Sequence, residues 1–249
     1  MLGSQTNSRE GDNNRRQRAR RALELMLEFQ RAKARKFSES EFDPTRELEA
    51  RAQEIRSRLE KFQPIRNDAR VLEVGSGAHG LVFFFRASRG IGVDPLAHHY
   101  VKLFPAWQRR VPTVSGYGEA LPFLDNSFDL VLSDDVVDYA EDPAAIIAEI
   151  TRVLVPRGTL YFAVNICHPL WNALGLLRQV EDFHTTHISL RRARSFFQRS
   201  SLRIVSESHT ISETRIAIRK RRRRRLRAWV KSLFYYKARL EIIAIRESR

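Results

Sequence analysis

Short apolar runs alternate along the chain with stretches in which apolar residues recur at helical spacing. The runs predicted as strands are residues 71–74, 91–93, 111–115, 128–133, 159–164, 202–206 and 240–245. Strands that alternate with helices form mostly parallel sheets joined by right-handed crossovers. The pattern therefore predicts an α/β fold with a doubly wound, seven-stranded, mostly parallel sheet.

The chain before the first strand has a different pattern. Residues 1–18 are polar, basic and without periodicity, so we predict a disordered basic tail. Residues 19–66 predict an N-terminal helical cap, with one helix over about 19–36 and a second that Asp43 caps and Pro44 begins. Residues 67–249 then form the main domain, in which the run 81–85 predicts a buried helix.

The glycine turn after the first strand is the clearest chemical signal. Gly75 and Gly77 let a ligand approach bare backbone, and the amides of the next turn point at that ligand. Asp94 follows the second strand, where a carboxylate can accept both hydroxyls of a ribose. The unit therefore predicts a nucleoside-type cofactor.

Two cofactors fit this unit. Gly75, Gly77 and Gly80 also satisfy the dinucleotide spacing, with an acid further on. Glu73 favours S-adenosylmethionine, because a carboxylate repels a pyrophosphate but suits a sulfonium and an ammonium group. The alternative is that Glu73 caps the turn or reaches water.

Five motifs together resemble a known family. They are VLEVGSG at 71–77, GVD at 92–94, GEALPFLDNSFDLVLS at 118–133, EDP at 141–143 and RVLVPRGTL at 152–160. From about residue 71 to 208, the chain resembles the class I S-adenosylmethionine-dependent methyltransferases, in particular the branch with the ubiquinone and menaquinone biosynthesis enzymes. The resemblance implies a Rossmann-like methyltransferase fold and S-adenosyl-L-methionine as the cofactor.

The resemblance also implies a role for several residues around the cofactor. Glu73, Gly75 and Gly77 match the loop beside the methionine part, and Asp94 matches the acid that binds the ribose. Helices before the first strand often lie over the cofactor in this family. The second predicted helix is therefore either a lid or substrate wall, or a helix packed on the sheet.

Further along, Gly118 and Glu119 match the segment beside the adenine, and Ser133 matches the end of the fourth strand beside the transferred methyl group. The chain departs from the family at Tyr117, where an acid usually binds the adenine amine, and at Arg157, where glycine is usual. A tyrosine at position 117 could instead stack on the base.

Methyl transfer mainly needs the nucleophile, the methyl carbon and the sulfur to be aligned. Tyr139, which stands where the family often has histidine, and His168 follow the fourth and fifth strands and are the candidate catalytic bases. His184 and His187 come later, and each histidine could equally be a surface or packing residue. No metal site is expected, and Asp134, Asp135 and Asp138 are interpreted as a loop rim.

Charge is concentrated at the two ends of the chain. The net charge is +15; residues 1–36 hold ten Lys and Arg against four acids, and residues 215–249 hold fourteen against two.

Cys167 is the one cysteine, which excludes an internal disulfide and fits a reducing, cytoplasmic compartment. No apolar run approaches the ~20 residues of a spanning helix.

The basic segment 215–237 carries seven consecutive basic residues before an aromatic helical stripe that includes Trp229 and Phe234. Three interpretations compete: an interfacial helix on an anionic membrane, an RNA- or DNA-binding arm, and a core-packed helix with a solvated charged end. The apolar stripe favours the membrane, contacted through 219–236, so we expect a peripheral position on its inner face, with nucleic acid as the weaker alternative.

Together these features predict a methyltransferase whose acceptor is a small molecule, a lipid-linked compound or a glycan. The alternatives are an RNA or other nucleic-acid methyltransferase, and a binding protein that kept the fold without turnover. Tyr117 is the one feature that favours the inactive alternative.

Overall fold

The computed structural model describes residues 3–36, 43–85, 89–167, 188–211 and 237–248. Within them, seven strands form one sheet: β1 Arg70–Val74, β2 Arg89–Val93, β3 Thr113–Val114, β4 Phe128–Asp134, β5 Leu154–Cys167, β6 Leu202–Ile211 and β7 Lys237–Arg246. The strand order is β3-β2-β1-β4-β5-β7-β6. Strand β7 is antiparallel to β5 and β6, and the other pairs are parallel. The predicted doubly wound, mostly parallel sheet is confirmed.

Helices cover both faces of this sheet. They are α1 Gly3–Lys36, α2 Thr45–Leu59, α3 Ala97–Leu103, α4 Pro105–Gln108, α5 Pro143–Val153 and α6 Leu190–Phe197. Helices α5 and α6 bury Ile150 and Phe197 against one face. Helix α2 buries Ile55 and Leu59 against the other, where Tyr161 also lies. Side chains alternate between the faces of a strand, so the sheet separates two apolar cores.

Side chains cap the starts of α5 and α6. Oδ1 of Asp142 accepts hydrogen bonds from the N–H groups of Ala144 and Ala145 at the start of α5. The hydroxyl of Ser189 accepts from the N–H of Arg192 at the start of α6. Each bond satisfies an N–H that has no partner within its helix.

The N-terminal helices differ from the prediction. Helix α1 begins at Gly3, so the stretch predicted as a disordered tail is helical. Gly11, Asp12, Asn13 and Asn14 have low helix propensity, so the local sequence did not predict a helix there. Helix α2 packs on the sheet, whereas residues of α1 line the cavity described below. The covering role therefore belongs to α1.

The strands also differ in length from the prediction. Strand β5 continues to Cys167 because it pairs with β7 from Thr159 opposite Ile245 to Cys167 opposite Lys237. In place of a full helix after the glycine turn, Leu81–Phe84 form a single 3-10 turn. His168 and the basic segment, apart from Lys237, lie outside the described residues. No helix among those described is long and apolar enough to cross a membrane.

Candidate cofactor site

A cavity of about 820 Å³ opens where β1, β2 and β4 end. Its volume lies in the range of small-molecule and cofactor sites. Residues 116–120, which follow β3, form another wall, and Ala22, Leu23 and Met26 of α1 close one side. Ligands of doubly wound sheets bind at the carboxyl ends of the strands. Of the predicted site residues, those that line the cavity are Gly75, Gly77, Asp94, Gly118, Glu119 and Tyr139.

The glycine turn presents bare backbone to the cavity. Gly75 and Gly77 have φ angles of +70° and +59°, which L side chains rarely adopt. The N–H of Gly75 donates to the carbonyl of Val93 at 2.7 Å, which ties the turn to β2. A Cβ atom on Gly75 would lie 2.4 Å from Cγ2 of Val136, whereas one on Gly77 would meet nothing within 4 Å. Gly77 therefore borders open space.

Asp94 is held rigidly beside this turn. Its Oδ2 accepts from the N–H of Gly77 at 3.0 Å, and its Oδ1 accepts from the N–H of Leu96 at 2.8 Å. Burial raises the pKa of Asp94, and these two hydrogen bonds oppose that rise. Each oxygen keeps a further lone pair, so a ribose at this edge could donate both hydroxyls to one fixed carboxylate.

The segment predicted to lie beside an adenine forms the opposite wall. Oε1 of Glu119 accepts from the N–H of Glu141 at 3.0 Å and so joins two loops. A Cβ atom on Gly118 would lie 3.1 Å from Cδ1 of Ile146 and from Cγ1 of Val74, so the backbone packs closely there. Tyr117 also lines the cavity and is 56% exposed, which leaves its ring accessible to a ligand.

Glu73 and Ser133 lie outside the cavity lining. Oε1 and Oε2 of Glu73 accept from the N–H groups of Leu81 and Val82 at 3.1 and 2.8 Å. The Glu73 carboxyl therefore caps the 3-10 turn, as the alternative interpretation expected, and does not face the cavity. Ser133 is fully buried in β4, where it pairs with Val74 of β1 and Phe162 of β5.

The burial of Glu73 predicts a pH effect on stability. Burial raises the pKa of Glu73 to about 8, against 4.5 for an ordinary glutamate. The folded protein then binds a proton that the unfolded chain releases, so this group makes the free energy of unfolding fall as pH rises from about 4.5 to about 8. We expect Glu73→Gln to remove this contribution. Urea unfolding of both proteins at pH 5.5 and pH 8 measures it.

The comparison between the two proteins isolates Glu73 from the other buried groups. The glutamine variant should be less stable than the wild type at pH 5.5, by about 1 kcal/mol, because its amide NH₂ faces one of the two N–H donors. The difference in the free energy of unfolding should shrink and then reverse as pH rises, so that the variant is the more stable protein at pH 8, because only the wild type loses stability on ionisation of Glu73. Equal pH slopes in the two proteins would show that Glu73 is ionised throughout.

Of the two candidate catalytic bases, only Tyr139 lies among the described residues. Tyr139 lines the cavity, and its N–H donates to the carbonyl of Val136 at 3.0 Å. His168 lies outside the described residues, as do His184 and His187. Among the described residues, no group of histidine, cysteine and acidic side chains could hold a metal ion.

Two features of the cavity were missed from sequence. Asp135 lines it, although Asp134, Asp135 and Asp138 were interpreted as a rim. Helix α1 also lines it through Ala22, Leu23 and Met26, whose helical spacing indicates a packed face but not which surface that face covers. For Asp135 the signal was its place directly after a strand that ends at the ligand edge.

Comparisons with known proteins agree with this geometry. Residues 72–162 match a protein family described as a methyltransferase domain. A malonyl-[acyl-carrier protein] O-methyltransferase from Halorhodospira halophila is 32% identical over 136 residues, which cover 52% of this chain and 46% of that protein. The alignments span about half or less of the curated relatives, so they compare a domain.

Solved structures share the fold. Geranyl diphosphate C-methyltransferase from Streptomyces coelicolor A3(2) has a TM-score of 0.61 and 16% identity, and the match covers 79% of this chain and 78% of that one. The YcgJ protein of Bacillus subtilis has a TM-score of 0.59 and 18% identity, over 80% of this chain and all of the other. With the matched domain, the strand order and the glycine turn, the chain contains a class I S-adenosylmethionine-dependent methyltransferase domain.

Proposed function

We propose that this protein binds S-adenosyl-L-methionine in the cavity and transfers its methyl group to a small-molecule acceptor. The observation that carries the proposal is the pairing of Asp94 with the bare backbone of Gly77. A fixed carboxylate and a turn without side chains meet at the carboxyl ends of β1 and β2. This combination suits a ribose and the amino-acid part of a nucleoside cofactor.

Different residues of the cavity lining would contact different parts of the cofactor. Asp94 would accept the ribose hydroxyls, the turn at Gly75 and Gly77 would lie along the methionine part, and Gly118 and Glu119 would flank the adenine. The cofactor supplies an electrophilic methyl group on a sulfonium. The protein then has to align the acceptor and exclude water, and α1 covers the cavity in a way that serves the second task.

The similar proteins support a class of acceptor. A malonyl-[acyl-carrier protein] O-methyltransferase and a geranyl diphosphate C-methyltransferase are among the similar proteins. Both names describe acceptors that are small molecules or groups on a carrier. We propose a small-molecule, lipid-linked or glycan acceptor for this protein.

Titration calorimetry tests the cofactor part of this proposal. S-adenosylmethionine and S-adenosylhomocysteine should both bind, and NADH should not. Binding of NADH in place of S-adenosylmethionine would overturn the proposal. A screen of lipid, quinone-precursor, glycan and RNA fractions for transfer of labelled methyl groups then identifies the acceptor. Binding without transfer to any fraction would favour the inactive binding protein.

We further propose that the basic segment holds the enzyme at an anionic membrane surface. Strand β6 ends at Ile211 and β7 begins at Lys237, next to the end of β5 at Cys167. The chain therefore leaves and re-enters the sheet at the edge where the cavity opens. Contact of this segment with a surface would bring the cavity close to acceptors in that surface. Each basic residue near an anionic surface contributes roughly 1 kcal/mol.

Replacement of residues 221–225 by serine should release the protein from vesicles of phosphatidylcholine and phosphatidylglycerol without a change in cofactor affinity. Five charges are lost from the segment, whereas none of the described residues that line the cavity changes. Vesicle flotation measures the bound fraction, and added salt should lower it, because exposed charges are screened within about 8–10 Å.

Two controls separate the candidate partners of the segment. Arg191→Ser with Arg192→Ser removes exposed charge from α6 and should leave vesicle binding unchanged. Trp229→Ser with Phe234→Ser should weaken vesicle binding and spare RNA binding, because a bilayer uses the apolar stripe. A wild type that ignores vesicles and binds RNA with a steep salt dependence would support the nucleic-acid interpretation.

A further inference from the structure

Asp135 occupies a constrained position at the cavity wall. It follows β4 directly, lines the cavity and has a φ angle of +55°. Aspartate and asparagine tolerate this left-handed region better than other residues with side chains. Its N–H donates to the carbonyl of Ala163 at 2.9 Å, which fixes the backbone beside β5. The hydrogen bond to β5 therefore fixes the position of the Asp135 backbone from which the side chain extends.

Two partners hold the Asp135 carboxylate. Nδ2 of Asn165 donates to Oδ1 at 3.0 Å, and Nη1 of Arg239 donates to Oδ2 at 2.7 Å. Asn165 and Arg239 lie directly opposite each other in the pairing of β5 with β7. Each carboxylate oxygen can accept a second hydrogen bond, and the Asp135 side chain is 36% exposed. The carboxylate is thus positioned and still open to a ligand.

The neighbouring Asp134 lacks this freedom. Its carboxylate accepts from Nη2 of Arg51 at 2.6 Å and from Nη2 of Arg239, and its side chain is 13% exposed. Asp134 does not line the cavity. Arg239 therefore pairs with the carboxylates of both Asp134 and Asp135, and Arg51 pairs with Asp134 as well. The charges around Asp135 are paired inside the fold, without a spare cation for an anionic ligand among these groups.

The rest of the described lining is also acidic. Among the charged residues that line the cavity, Arg20 is basic. The acidic ones are Asp94, Glu119, Asp135, Glu141 and Asp142. These acidic residues would repel an acceptor that carries a carboxylate. An amine or an alcohol would bring a donor hydrogen to an acceptor oxygen.

We propose that Asp135 receives the N–H or O–H of the methyl acceptor, so that the enzyme methylates an amine or an alcohol and not a carboxylate. This inference rests on the proposed function and names the substrate class of the same cavity. A lone pair of the acceptor nitrogen or oxygen forms the new bond to the methyl carbon. The carbon–sulfur bonding pair stays on sulfur. The proton that the acceptor loses passes to Asp135 and from there to solvent.

Three probes that share a benzyl or phenyl ring test the selectivity: benzylamine, benzyl alcohol and benzoate. Their affinities are measured by ligand-observed NMR on protein saturated with S-adenosylhomocysteine. We expect the wild type to bind the amine and the alcohol at least about tenfold more tightly than benzoate, the scale of one charge-assisted hydrogen bond. Asp135→Asn should lower this preference to about threefold, because the other acidic residues of the lining still disfavour benzoate.

Asp135→Asn should fold as the wild type does, so that a change in ligand preference is not caused by unfolding. Asparagine suits the positive φ angle, and Arg239 keeps Asp134 as a partner. Asn165→Ala removes one anchor of Asp135 and should reduce the preference partly, as expected of a positioning residue. Asp68→Asn changes an exposed carboxylate that pairs with Arg66 and should preserve the preference.

Several outcomes would overturn the inference. They are a benzoate affinity equal to or higher than that of the amine, no measurable binding of the amine and the alcohol, and a preference that Asp135→Asn leaves unchanged. Binding of S-adenosylhomocysteine alone is measured first by calorimetry. Its absence would contradict the proposed function, whereas its presence with an indifferent Asp135 would contradict only this inference.

Discussion

Replacing Asp94 with alanine is expected to weaken S-adenosylmethionine binding by about 1.5–3 kcal/mol, the scale of a hydrogen-bonded charged acceptor. Two effects add in this variant. The ribose hydroxyls lose their carboxylate, and the N–H groups of Gly77 and Leu96 lose the acceptor that fixes the turn. Calorimetric titration of both proteins with the cofactor measures the loss.

A conservative variant separates the two effects on Asp94. Asp94→Asn keeps the size of the side chain, but its NH₂ faces one of the two backbone N–H donors, so we expect a smaller loss of affinity. Asp68→Ala, an exposed acid, serves as the control and should bind the cofactor as the wild type does. Unchanged affinity in Asp94→Ala would move the ribose site elsewhere.

Replacing Gly77 with valine is expected to abolish measurable cofactor binding, a loss of at least about a hundredfold. The new side chain would project into the open space beside the turn, which the methionine part of the cofactor needs. A branched residue at a φ angle of +59° also strains the backbone. Calorimetry at high protein concentration measures the binding, and urea unfolding measures the stability.

The neighbouring glycine provides the matched contrast to Gly77. In Gly75→Ala the Cβ atom would lie 2.4 Å from Cγ2 of Val136, so this variant should lose stability through a clash inside the fold. Gly77→Ala meets no atom and should lose less stability than Gly75→Ala. Retained cofactor affinity in a folded Gly77→Val would show that the cofactor does not lie along this turn.

The local sequence was sufficient for much of the fold. Apolar runs spaced by helical stretches predicted seven strands and their mostly parallel pairing, because burial on both faces requires continuous apolar residues. The lengths of β5 and β7 were underestimated because Asn165 and Arg239 interrupt the apolar pattern, as Glu241 does within the predicted β7. These polar residues remain in strands because they satisfy one another and their neighbours across the sheet: Arg58 donates to Glu241, and Asn165 donates to Asp135.

The cofactor residues were predicted with unequal success. Gly75, Gly77 and Asp94 form one local unit, and the chain itself brings them together at the strand ends. Glu73 belongs to the same unit, but side chains along a strand alternate between its faces. Its side chain points away from the cavity and caps the 3-10 turn. The choice between facing a ligand and capping a turn is not visible in the residue type.

The sequence by itself determined the α/β class, the glycine turn and the acid that follows β2, because each depends on residues close together in the chain. The tertiary structure alone decided that α1 covers the cavity and that Asp135 is held by Arg239, which is 104 residues away. The physical reason is that a strand pattern specifies which face of a strand is buried. It does not specify which distant side chain will stand opposite, and that pairing exists only once β7 lies against β5.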